Sequence, residues 1–222
     1  MQLPVRLSDE YLWGISEVPS SWPEAALQAQ AIASRTYAMS KAGIYRTACD
    51  CDLYGEISDQ SFVGYAKEIE KGWGQFWKAA VTNTAGLTIT QAGKPITAYF
   101  GSSTGGLTET AVNAWGTEKS FTQSVADVSS LDPLLNPRFY RWDRTIAQSA
   151  VAAAFLLPDV VTLEIVMKNA TGTVGTIKAT SSAGIQKSLR GETFRSRTKI
   201  PSAYFDLIGM QDAVEPTPSP SP

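Results

Sequence analysis

One helix constrains this chain more than any other feature. From Ser21 the sequence runs SWPEAALQAQAIASRTYAMSKAG. Ser21 and Glu24 have the spacing of a capping box, in which two side chains satisfy free amide N–H groups at a helix start. Pro23 suits the first turn, where its missing N–H is no loss. Gly43 stands where a left-handed C-terminal cap is expected. The interior is rich in alanine, the strongest helix former. Alanines occur on most faces, which predicts a helix packed closely on several sides.

The remaining elements are read around it. SDEYLWGIS, Ser8 to Ser16, reads as a short helix with Ser8 as its N-cap, ending before Pro19. Another helix is expected from about Gln75 to Thr84, closed by Gly86, and another around Ile146–Leu156, stopped by Pro158. GLTITQ and ITAYFG are two β-rich runs around the AGKP turn. VVTLEIVMK and GTVGTIKAT form a further pair joined at NATG, and a last strand is expected near AYFDLI. Helices and strands interleave without regular βαβ alternation, so the fold class is α+β. The chain has 222 residues, enough for one substantial core. The final EPTPSPSP carries no apolar pattern and reads as a linker or stalk, giving residues 211–222 as a tail.

Composition removes whole classes of chemistry. There is no histidine, which excludes Ser-His and Cys-His nucleophiles and His-ligated zinc. A net charge of −2 argues against a nucleic-acid binder. One late segment is nonetheless basic: Lys187, Arg190, Arg195, Arg197 and Lys199. It reads as a solvated surface or, alternatively, a patch for an anionic polymer. The two cysteines, Cys49 and Cys51 in TACDCDLYG, leave three options open. They are a small strained disulfide, two free thiols, or a metal site completed by carboxylates.

Carboxylates must then carry any acid–base work. Glu17, in GISEVPSSW, follows a predicted helix C-terminus whose dipole disfavours another negative charge. Trp13, Ile15, Val18 and Trp22 can keep water from it. Both effects favour a carboxyl protonated near neutral pH, as a glycosidic leaving oxygen requires of its general acid. Arg35 lies on the stripe of Leu27 and Ala31. A guanidinium there needs a partner, either structural carbonyls or the carboxylate or substrate group that it orients. Ser102, Ser103, Thr104, Gly105 and Gly106 follow a predicted strand and present hydroxyls and backbone N–H groups together. Such a loop suits a glycan, or is a plain hairpin loop. The six tryptophans are Trp13, Trp22, Trp73, Trp77, Trp115 and Trp142. Most suit packing, and one or two, Trp115 among them, suit a sugar-stacking role.

The order of these signals resembles the stage II sporulation protein D / LytB family. YLWGISEVPSSWPEAALQAQAIASRTYA matches its YL-x-G-x-x-x-E-x-P element and the W-P-x-E-A-L-x-A-Q-A-x-A-x-R-T-Y-A run that follows. CDLYGE, AVTNTAGLTIT, ITAYFGSSTGGLTE, AW, LRGETFR and PSAYFDL continue it, from about Leu12 to Leu207. The resemblance implies a single SpoIID-like domain over residues 1–210, with short antiparallel sheets around a glycan-binding groove. It implies a peptidoglycan lytic transglycosylase that cleaves between N-acetylmuramic acid and N-acetylglucosamine and leaves 1,6-anhydro ends. The sporulation members prefer strands stripped of stem peptides. The family's catalytic Glu falls on Glu17 and its RTYA arginine on Arg35. Other members are described as amidase enhancers, so the alternative is a non-catalytic glycan-binding module with cell-wall amidases as partners. An interaction domain within a larger envelope complex is a third reading, suggested by the Pro-rich tail. Some members bind zinc through Cys and His near the stretch matching TACDCDLYG. Without histidine no metal or other cofactor is expected here. No apolar run has membrane-spanning length. The expected setting is extracytoplasmic, within a longer exported protein.

Overall fold

The computed structural model describes residues 4–56 and 58–209. The expected tail, 211–222, lies outside them. The chain divides into two compact units, Met1–Gly101 and Ser102–Pro222, and helices with two small antiparallel sheets make the architecture α+β.

In the first unit the dominant helix is α1, Glu24–Lys41. Its buried residues Leu27, Ala31, Ser34, Arg35 and Ala38 recur at three- and four-residue intervals along one stripe. Ala25 and Ala29 are exposed, so the first turns are packed along that stripe alone, whereas Thr36, on the opposite face, is buried and accepts from the Ile89 amide at 3.0 Å. The capping box does not form. Pro23 is the N-cap residue, no side chain caps the helix, and Glu24 accepts from Gln28 one turn on. Gly43, two residues past the helix, has φ +76°, as the cap reading expected. The stripe packs with α3, Gly74–Asn83, whose Trp77, Ala80 and Val81 are buried. α2, Tyr65–Glu68, precedes it. Trp77, Leu12, Ile15 and Leu27 are at most 1% exposed and form the centre of this core.

The expected helix over Ser8–Ser16 is two tighter or wider pieces, a π-turn at Leu7–Tyr11 and a 3-10 turn at Leu12–Gly14. Its N-cap residue is Arg6, whose guanidinium pairs with Asp9 and Glu10, and Ser8 lies inside the turn. Leaving it, Ile15 forms an antiparallel bridge with Phe62. The AGKP ribbon is shorter than expected, pairing only β1 (Thr90–Gln91) with β2 (Lys94–Pro95). Ala92 and Gly93 both have positive φ, as a two-residue I′ hairpin requires.

The second unit centres on a sheet of β3 (Thr162–Lys168), β4 (Val174–Thr180) and β5 (Gln186–Arg190), with β4 in the middle. It also contains α4 (Ala111–Trp115), α5 (Gln148–Phe155) and α6 (Gly191–Thr198). Val151, Phe155, Val174, Ile177, Ala179 and Phe194 form its core. β5 and α6 carry no clear periodicity in the sequence and were not expected. A Cβ on Gly191 would lie 1.9 Å from the Val174 carbonyl oxygen, so α6 starts against β4 only because that residue is glycine. The strand expected near AYFDLI is absent, although the Val174 amide does donate to the Ala203 carbonyl at 2.8 Å. The basic segment has a local purpose. Lys187 donates to the Leu156 carbonyl at 2.7 Å and Arg197 to Ala154 at 2.5 Å. Two cations thus close the negative end of α5.

Candidate functional site

Glu17 stands half-buried just beyond the Leu12–Gly14 turn. Its Oε1 accepts the Ser61 amide at 2.7 Å, while the Ser16 amide donates to the Ser61 carbonyl at 2.8 Å. The Ile15–Phe62 bridge continues this pairing. Glu17 is therefore held by backbone at one oxygen. Oε2 has no protein hydrogen-bond partner among the described residues.

The segment that supplies Ser61 is itself fixed on every side. Asp59 accepts from both terminal nitrogens of Arg46, from the Tyr37 hydroxyl at 2.7 Å and from the Tyr54 amide at 2.9 Å. Its side chain is 1% exposed. Burial alone would raise this carboxyl, but the Arg46, Tyr54 and Tyr37 hydrogen bonds outweigh it and hold the group below the usual range. Gln60 accepts from the Tyr11 hydroxyl at 2.9 Å. Burial, reinforced by nearby negative charge, pushes the Tyr11 phenol upward, so it stays a neutral donor. Phe62 stacks on Tyr11 with ring centroids 5.6 Å apart. The same ring lies so close to Gly14 that a Cβ there would come within 2.4 Å of it.

The chain after Glu17 is gripped by a second group. Lys67, 1% exposed, donates from Nζ to the Val18 carbonyl at 2.6 Å and to Glu70 Oε2 at 2.7 Å. Glu70 Oε2 also accepts from the Ser20 amide and hydroxyl, at 3.2 and 2.7 Å. Burial opposes ionisation of Glu70, but Lys67 and Ser20 prevail and lower it. Before Glu17, the Trp77 indole donates to the Leu12 carbonyl at 2.8 Å. Ser61, Lys67 and Glu70 were not legible as site residues, because nothing in local spacing ties them to Glu17.

Arg35 belongs to the same unit and is 3% exposed. Its terminal nitrogens donate to the Leu87 and Val81 carbonyls at 3.1 and 2.9 Å, with Thr84 Oγ1 at 3.4 Å. Those are backbone partners of the kind the structural reading anticipated, and none of them is Glu17. Its Nε is buried without a partner among the described residues. Cys49 and Cys51 form a disulfide within the hairpin that carries Arg46. No group of three or more possible metal-ligating side chains occurs among the described residues.

The second unit holds the other expected site residues. Thr104 donates from its hydroxyl to Asp127 at 2.9 Å and from its amide to Ser130 at 2.9 Å. The Asn136 amide donates to the Ser103 hydroxyl at 3.0 Å. Gly105 and Gly106 turn the loop with φ +74° and +111°. The loop is thus braced from beneath, and Ser102 at its start is exposed. Trp115, at the end of α4, is 52% exposed and lines a surface cavity of about 340 Å³ with Arg190, Thr193 and Ser196. Glu109, three residues beyond the loop, was missed in the sequence. Its Oε1 accepts from the Thr110 amide and Asn113, each at 2.8 Å, and its Oε2 from the Thr171 and Thr173 hydroxyls. Burial opposes its charge, yet these donors lower it.

Residues 6–91 match the SpoIID model, described as stage II sporulation protein. An amidase enhancer of Bacillus subtilis (strain 168) is 30% identical over 133 residues, covering 60% of this chain and 16% of that protein. Stage II sporulation protein D of the same organism is 31% identical over 129 residues, 53% of this chain and 37% of that protein. Its counterpart in Bacillus amyloliquefaciens is 27% identical over 218 residues, 89% and 59% respectively. The matched stretches span less than two thirds of the length of each of these relatives. No helix of the described residues is long and apolar enough to cross a membrane. Glu17, Arg35, Ser61, Lys67 and Glu70 all lie within the matched stretch, so the part of this chain that holds them is similar to the SpoIID family.

Proposed function

We propose that this chain is a peptidoglycan lytic transglycosylase domain that cleaves the bond between N-acetylmuramic acid and N-acetylglucosamine to leave 1,6-anhydromuramic ends. Residues 1–210 act together as the catalytic domain, and strands lacking stem peptides are the preferred substrate. The observation that carries the reading is the half-held carboxyl of Glu17, anchored at Oε1 by the Ser61 amide and without a partner at Oε2 among the described residues. A lytic reaction needs one such group, because the substrate's own C6 hydroxyl is the nucleophile and a second enzyme carboxylate is dispensable. Glu17 protonates the leaving oxygen and then takes the proton of the C6 hydroxyl. The C1–leaving-oxygen bond breaks, the C1–O6 bond forms, and the enzyme ends as it began.

Arg35 supports this arrangement by holding α1 against the Val81–Leu87 carbonyls, which makes it a positioning residue. Ser102, Ser103, Thr104, Gly105, Gly106 and Trp115 contribute to glycan binding through polar groups and an indole face. The substrate sets the location as extracytoplasmic. Digestion of peptide-free glycan strands followed by mass spectrometry tests the proposal: 1,6-anhydromuramic products are expected from the native chain and none from Glu17→Gln. Full activity in a folded Glu17→Gln protein would remove Glu17 from the mechanism.

The similarity to a protein named amidase enhancer favours a second reading, a glycan-binding module that stimulates cell-wall amidases without cleavage. Retention on insoluble peptidoglycan with no anhydro-sugar release would select it.

A further inference from the structure

We infer that Lys67, working with Glu70, is a positioning residue for the Glu17 carboxyl. The inference rests on the reading of Glu17 as the proton-transferring group. Lys67 comes from α2, 50 residues along the chain from Glu17, and its ammonium is buried to 1% exposure. A lysine is seldom placed there, since burying an ammonium is costly unless it is paired and hydrogen-bonded. Its two oxygen partners identify its task. One is the carbonyl of Val18, the residue after Glu17, and the other is Glu70, which binds Ser20 through both amide and hydroxyl. The indole ring of Trp77 lies 5.6 Å from the ammonium and closes a third side. Trp77 also fixes the Leu12 carbonyl before Glu17.

The chain is thus held at Leu12, at Ser16, at Val18 and at Ser20, and Glu17 lies between the inner two. Without the Lys67–Glu70 clamp, the Ser61 amide is the one polar tether left on the carboxyl itself among the described residues. Pro19 denies the segment one backbone N–H of its own. The clamp supplies what local secondary structure does not.

The test uses the whole chain, with peptide-free glycan strands as substrate. Lys67→Met and Glu70→Ala each lower kcat by about 10- to 100-fold with KM nearly unchanged, the signature of a displaced catalytic group. Glu70→Gln, which keeps an acceptor oxygen for Ser20 and Lys67 but removes the anion, lowers kcat less than Glu70→Ala. Hydrogen exchange read at the Ser61 amide speeds up in step with the loss of kcat, least in Glu70→Gln. If Lys67→Met does not fold, Glu70→Ala and Ser20→Ala decide the matter. Folded variants with wild-type kcat overturn the inference, and so does a fall in kcat with no change at Ser61. A fully active Glu17→Gln would instead sink the reading on which this rests, while the exchange at Ser61 still reports whether the clamp holds the segment.

Discussion

Glu17 and Glu109 each take a backbone amide at Oε1, and they part company at Oε2. Glu109 has donors on both oxygens: the Thr110 amide and Asn113 on one, Thr171 and Thr173 on the other. It joins the start of α4 to the turn between β3 and β4, and its charge is what its donors need. Glu17 has the Ser61 amide on one oxygen and nothing from the protein, among the described residues, on the other. Asp59 belongs with Glu109, having Arg46, Tyr37 and Tyr54 across its two oxygens, whereas Glu70 takes Lys67 and Ser20 on Oε2 alone. The difference separates Asp59 and Glu109, bonded at both oxygens to parts of their own unit, from Glu17, which is oriented by a single backbone amide.

That contrast can be broken most directly at Glu17. Replacing it with Gln is expected to lower glycan cleavage by about 10²- to 10⁴-fold, the usual worth of a general acid–base. The Ser61 amide keeps an acceptor oxygen, so the melting temperature should stay close to that of the native protein. A large loss of stability would place Glu17 with the structural carboxylates instead.

Asp59→Asn is expected to act the other way, chiefly on folding. It leaves Arg46 without its anion, and a broken buried pair costs roughly 3–5 kcal/mol. Arg46 retains 26% side-chain exposure, which moves the expected loss to the lower end, about 2–3 kcal/mol by denaturant unfolding. Glu109→Gln is expected to cost about 1–3 kcal/mol, since one oxygen becomes a donor facing hydroxyl donors.

Acid unfolding sharpens the same comparison. Asp59 and Glu109 have carboxyls held lower in the folded chain than in the unfolded one. Their stabilisation is therefore complete above the unfolded value near pH 4 and is lost as pH falls through the folded values. Melting temperatures followed downward from pH 7 should begin to fall near pH 4, and Glu109→Gln should flatten part of that fall. A Glu109→Gln profile parallel to the native one would contradict the assignment. The smallest effect is expected from reducing Cys49–Cys51 with a dithiol. A loop closed across one residue restrains the unfolded chain little, so stability should change by less than about 2 kcal/mol.

The sequence by itself determined those features that act within a few residues. α1 and α3, the Gly43 and Gly86 turns, the Ala92–Gly93 hairpin and the β3–β4 pair all follow from periodicity and turn chemistry. It also placed Arg35 on a buried stripe and singled out Glu17, through the resemblance of its surrounding motif and the absence of histidine. Even locally it could err: the Ser21–Glu24 pattern forms no capping box because Glu24 turns to Gln28. Tertiary structure alone decided which groups hold Glu17. Ser61 is 44 residues away, Lys67 reaches Val18 across 49 and Glu70 reaches Ser20 across 50. No local pattern encodes such pairings, since they exist only once the core of Leu12, Ile15 and Trp77 brings the segments together. The same holds for β5 and α6, whose weak periodicity is overridden by packing on β4. The sequence pointed to the carboxyl, and the folded chain fixed one of its oxygens on the Ser61 amide while no described residue bonds the other.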